Sequence, residues 1–88
     1  MQKQVDINGV KYTLQKIPFS SYLQFIDETT TAMGKTDRKK WAELMFEHVV
    51  VEPKVTLDDF GDDIITGLEL VNACDSFLAE RTPTKSKK

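Results

Sequence analysis

The sequence is poor in the residues that build covalent and metal-bound sites. Its 88 residues contain one cysteine, Cys74, and one histidine, His48. A single cysteine excludes an internal disulfide and any Cys-x-x-Cys metal knuckle, and it suits a reducing compartment. A lone histidine with no second ligand nearby makes a poor metal site. We therefore expect no metal and no cofactor, and we interpret Cys74 as a small buried hydrophobe and His48 as a core-edge residue.

Long apolar runs and catalytic motifs are also missing. No stretch of about 18 or more apolar residues occurs, so we expect no membrane span. The first residues lack the apolar segment of a signal peptide, so we expect no secretion. The sequence has no glycine-rich phosphate loop, no His-Glu-x-x-His and no Gly-x-Ser-x-Gly motif. The absence of these motifs favours a non-enzymatic protein.

Charge is distributed unevenly along the chain. The net charge is −2, but residues 81–88 carry four basic residues and no acid. The first 80 residues therefore hold eight basic and fourteen acidic residues, a net charge of −6. Residues 35–40 form the one basic patch in this acidic body, and we interpret it as a solvated helix start rather than a phosphate site. We predict no specific nucleic-acid binding, and a disordered basic tail at residues 81–88.

The first element is a predicted β-hairpin at residues 2–17. Asn8-Gly9 is a strong signal for a type I′ turn, in which both central residues need a positive φ. Counting outward from the turn places the apolar side chains of both strands on one face. A two-stranded hairpin is marginal in water, so this face must rest on helices or on another chain.

Three main helices follow, near residues 20–32, 37–50 and 62–80, in a single globular domain over residues 1–80. Asp37 is a good N-cap for the second helix, and Thr56 to Asp59 reads as a capping box. The valines at 49–51 favour either a helix end or a short extended segment. The fold class is therefore α+β, a hairpin followed by three main helices around one small core.

Helical spacing predicts which side chains build that core. On the second helix the apolar positions place Trp41 at the hub, on one face with Leu44, Met45, His48 and Val49. If Trp41 instead lies at the surface, it becomes a candidate anchor for a partner. On the last helix the spacing predicts a buried stripe that Leu70 and Phe77 widen on one side. The stripe consists of Ile64, Leu68, Val71, Cys74 and Leu78.

Some aromatic side chains are left over by this arrangement, because a small monomer buries one stripe per helix. Phe46 sits about 100° from Met45, and Phe77 lies at the margin of the last stripe. Tyr22 and Phe25 share a face of the first helix. We therefore predict that Tyr22, Phe25, Phe46 and Phe77 bind helical segments of a partner, or support self-association.

Three stretches together resemble a known family. They are residues 8–19 (NGVKYTLQKIPF), residues 22–23 (YL) and, above all, residues 50–60 (VVEPKVTLDDF). In this order they resemble the small tail assembly chaperones of long-tailed phages and prophages of Gram-positive bacteria. The resemblance implies a non-enzymatic factor that binds the tape measure protein, helps recruit tail tube protein, works in the host cytoplasm and is absent from the mature virion.

Two other functions stay open at this stage. One is a small DNA-associated or regulatory phage or prophage protein that uses residues 35–40 and the basic tail. The other is a structural oligomer subunit whose hairpin adds to a neighbour's sheet.

Overall fold

The order of elements is that of an α+β domain, in a computed structural model that describes residues 2–80. The elements are β1 (Gln2–Ile7), β2 (Val10–Gln15), α1 (Phe19–Thr29), α2 (Arg38–His48), β3 (Val50–Glu52), a 3-10 helix (Leu57–Phe60) and α3 (Ile64–Ala79). The predicted fold class, a hairpin followed by three main helices, is confirmed. The predicted disordered tail lies outside the described residues.

The hairpin turn adopts the backbone that its sequence requires. Asn8 and Gly9 have φ angles of 52° and 82°, as a type I′ turn needs. Ile7 pairs with Val10 and Val5 with Tyr12, in the register predicted by counting from the turn.

β3 pairs antiparallel with β2, so the sheet has the order β1-β2-β3. Val50–Glu52 is therefore extended, and the valine run leaves α2 at its C-terminal end to join the sheet. Of the two structures predicted for the valine run, a helix end or a short extended segment, Val50 and Val51 adopt the extended one.

Acidic side chains hold the starts of the later helices. Asp37 Oδ1 accepts from Lys40 N at 3.2 Å, and Asp63 Oδ1 accepts from Thr66 N at 3.2 Å. Asp59 completes the capping box by accepting from the backbone N–H of Thr56 at 2.8 Å. Within residues 2–80 no group of three or more His, Cys, Asp or Glu side chains could hold a metal ion. Among the helices of this range, none has the length and apolar character needed to cross a bilayer.

The core lies where the apolar face of the hairpin meets α2 and α3. Its buried members are Ile7, Tyr12, Leu14, Phe25, Met45, Phe46, Val49, Val50, Leu70, Cys74 and Phe77. The buried stripe of α2 is Ala42, Met45, Phe46 and Val49, and that of α3 is Leu70, Cys74 and Phe77. Both stripes are offset by roughly one residue, about 100°, from the stripes predicted by spacing.

Trp41 is not the hub of this core, and that prediction is wrong. Its ring is half-buried and packs against the outside of the core. The indole Nε1 donates to Asp75 Oδ1 at 2.9 Å, and the ring meets Tyr22 edge-on with centroids 5.8 Å apart. An indole N–H needs a polar partner, which it finds here at the surface rather than in the apolar interior.

The C-terminal end of α3 is fastened to the hairpin by two lysines. Lys16 Nζ donates to the carbonyl oxygens of Phe77 and, at 2.6 Å, Glu80, and it lies 4.6 Å from the centroid of the Phe77 ring. Lys3 Nζ donates to Glu80 Oε2 at 2.7 Å, and this bond lowers the pKa of the Glu80 carboxyl. Cations favour a helix C-terminus because its last carbonyl groups carry partial negative charge.

Candidate functional site

Three of the four predicted partner-binding side chains belong to the core. Phe46 is 2% exposed, Phe77 1% and Phe25 7%, so the expectation that they are left over from the core is wrong. The offset of the α2 and α3 stripes turns Phe46 and Phe77 inward, and Phe46 packs against Phe60 with ring centroids 5.5 Å apart. On α1, Phe25 packs against the ring of His48 with centroids 4.9 Å apart. Phe25, Phe46 and Phe77 offer no surface to a partner in this conformation.

Tyr22, the fourth predicted residue, is half-buried and stays accessible. Other large apolar side chains are exposed instead, and most of them lie on α1 and α3: Val10, Phe19, Leu23, Ile26, Met33, Ile64, Ile65 and Leu68. Scattered exposed apolar residues are ordinary on a protein surface, whereas neighbouring ones that line a concavity mark a binding site. Ile26 and Leu68 satisfy this condition.

A groove runs between α1 and α3, and we call it the α1–α3 groove. The two helices each pack against α2 and make little direct contact with one another. The space between them has a volume of about 530 Å³. Its apolar lining comes from all three helices and consists of Tyr22, Ile26, Trp41, Ala42, Leu68 and Val71. A groove of this size can take several apolar side chains of a partner.

Two charged side chains line the same groove. Arg38 comes from the first turn of α2, and Asp75 from the second half of α3. Both are exposed. The ion pairs formed within residues 2–80 are Lys3 with Glu80 and, on protonation of the histidine, His48 with Glu47. Arg38 and Asp75 are therefore unpaired within this range, although Asp75 accepts the Trp41 N–H.

A second cavity, of about 520 Å³, lies between α2 and the segment that follows β3. Charged side chains of both signs dominate its wall: Lys39, Glu43, Glu47, Lys54 and Asp58. Six apolar side chains line the α1–α3 groove, against three in the second cavity. The groove also takes residues from all three main helices, whereas the second cavity takes its residues from α2 and residues 54–58. The groove is the stronger candidate for protein recognition.

Cys74 is fully buried in the core. Burial, with a smaller effect of the neighbouring Asp75, raises the pKa of its thiol to about 12. The thiol is therefore protonated at neutral pH and behaves as a small apolar side chain.

Comparison with protein-family models, with curated proteins and with solved structures finds no match to this chain. The groove was missed by the sequence prediction, which placed Leu68 in the buried stripe and Trp41 at the hub. One sequence signal pointed toward it: Trp41 was the residue predicted to anchor a partner if it proved to lie at the surface.

Proposed function

We propose that this protein is a non-enzymatic tail assembly chaperone of a long-tailed phage or prophage. In this function it binds helical segments of the tape measure protein and aids the recruitment of tail tube protein. It acts in the cytoplasm of the bacterial host and is absent from the mature virion. One observation carries the proposal: the apolar α1–α3 groove, which opens to solvent between two helices that both rest on α2.

The physical requirement for such a chaperone is apolar surface in a form that does not aggregate. A long helical client exposes apolar stripes until it meets its assembly partners. The groove can cover such a stripe, because Ile26 and Leu68 present exposed apolar surface on opposite walls. The charged side chains of Arg38 and Asp75 also line the groove, which disfavours non-specific association between copies.

The choice of client rests on the sequence resemblance, and the choice of surface rests on the groove. The segment at residues 50–60 that carries most of the resemblance forms β3 and the 3-10 helix. It does not line the α1–α3 groove. Its place is structural: β3 completes the sheet, and the 3-10 helix brings Phe60 against Phe46. The argument for the client, from the resemblance, and the argument for the binding surface, from the groove, are therefore independent of each other.

The test is co-expression with the tape measure protein of the phage or prophage that encodes this chain, followed by measurement of how much tape measure protein stays soluble and co-purifies. We expect Leu68→Ser to reduce both, because it removes an exposed apolar side chain from the groove wall. Ile65→Ser is the matched control, since Ile65 is exposed on the same helix but does not line the groove. If both variants lose the same amount of soluble and co-purified client, or if neither variant loses any, the client surface lies elsewhere.

The same preparations test the two other functions. A DNA-associated protein would bind duplex with a steep dependence on salt, because phosphate contacts release counterions. A structural oligomer subunit would sediment as a discrete assembly without client, using the free edge of β1. We predict neither behaviour.

A further inference from the structure

The walls of the α1–α3 groove offer almost no free backbone hydrogen-bonding groups. Apart from Thr36, its lining residues lie within α1, α2 and α3. The backbone groups inside a helix are already bonded to one another. An extended peptide placed here would bury N–H and C=O groups without partners, which is costly. A helix satisfies its own backbone, so a helix is the form of peptide that this groove can bury.

The two unpaired charges add a second requirement. Arg38 and Asp75 have opposite signs and line the groove beside its apolar surface. An occupant that covers Ile26 and Leu68 brings its own flanking side chains close to both charges. Opposite charges on the occupant stabilise the complex, and like charges destabilise it.

We propose that the α1–α3 groove selects an amphipathic helix whose apolar stripe has an acidic side chain on one margin and a basic side chain on the other. The acid pairs with the Arg38 guanidinium, and the base pairs with the Asp75 carboxylate. Asp75 has a second oxygen for this contact, because Trp41 Nε1 occupies Oδ1. This inference rests on the proposed function, since it defines the chemistry of the client helix.

The probes are four synthetic peptides of equal length, capped at both ends, with the same leucine stripe and no tryptophan. Their margins carry Gln only, Glu only, Lys only, or Glu on one side and Lys on the other. Trp41 is the single tryptophan of the chain and lies in the groove, so its fluorescence reports binding without a label. We expect the mixed peptide to bind tightest, by about two- to fivefold per ion pair over the Gln peptide.

Charge reversals in the protein give the sharper test. We expect Arg38→Glu to weaken the Glu peptide and strengthen the Lys peptide, and Asp75→Lys to do the opposite. Asp75→Asn keeps an acceptor for the Trp41 N–H and should weaken the Lys peptide and the mixed peptide, but not the Gln peptide. Lys39→Glu is the matched control, because it makes the same charge change one residue along α2, outside the groove lining.

Each contrary outcome would contradict a different part of the proposal. If the Gln peptide binds but the charged peptides bind equally well, and Arg38→Glu acts no more strongly than Lys39→Glu, the charge requirement is wrong and the proposed function stands. If a proline-interrupted peptide binds as well as the helical one, the helix requirement is wrong. If no peptide binds, the groove is not a helix site, and the inference falls together with the surface assigned to the chaperone.

Discussion

Truncation of Phe77 tests the orientation of α3, on which the groove depends. Phe77 is 1% exposed, and its ring packs in the core beneath Lys16 Nζ. Replacing a buried phenylalanine with alanine costs about 3–5 kcal/mol of unfolding free energy, since both transfer energy and cavity terms are lost. A domain of this length has a total stability of about 4–12 kcal/mol. Phe77→Ala should therefore remove at least about a quarter of the stability, and all of it if the domain lies at the low end of this range.

The assay is urea denaturation, followed by Trp41 fluorescence and by far-UV circular dichroism. Phe77→Leu is the milder variant, which should cost about 1–1.5 kcal/mol and stay folded. With a slope of about 1 kcal/mol per molar urea, its midpoint should fall by about 1 M. Ile65→Ala is the control on the same helix, where a 67% exposed side chain should change stability by no more than about 0.5 kcal/mol. A larger effect at Ile65 than at Phe77 would contradict the orientation of α3 that buries Phe77 and exposes Ile65.

Three further predictions follow from the same structure. Trp41→Ala should cost about 2–4 kcal/mol by circular dichroism, less than truncation of a fully buried tryptophan, because part of the ring stays exposed to water; a loss of folding would restore Trp41 as the hub. Lys16→Met keeps the apolar stem but removes the bonds to the last carbonyls of α3, and should cost about 1 kcal/mol with faster amide exchange at that end; unchanged exchange would contradict the fastening role. Cys74 should resist thiol reagents until the protein unfolds; because its pKa is raised from 9.0 to about 12, its contribution to stability is complete below pH 9.0 and lost as pH rises above it. A Cys74→Ala variant with the same alkaline pH dependence as the parent would refute that assignment.

Local features of the fold were predictable from sequence because neighbouring residues determine them. The Asn8-Gly9 turn fixes the hairpin register, and Asp37 caps α2 through an adjacent backbone N–H. The pairing of β3 with β2 is a long-range contact, and the valine run alone left it open.

The rotation of the helices was not predictable from spacing. Apolar residues on α2 spread over roughly 200° of the helix surface, so more than one stripe fits the 3.6-residue period. Packing against the hairpin chooses among them and turns Phe46 inward and Trp41 outward. The α1–α3 groove depends on this rotation and on the distance between two helices that are far apart in sequence. It could therefore not be predicted from the spacing of apolar residues.

The most direct test of the account is a map of backbone amide shifts when a tape measure fragment is added to the isotope-labelled chain. We predict that the largest shifts fall on residues 22–29, 38–42 and 68–75, which line the α1–α3 groove. Shifts confined to the β1 edge, or to residues 54–58 beside the second cavity, would contradict the assignment of the groove as the client surface.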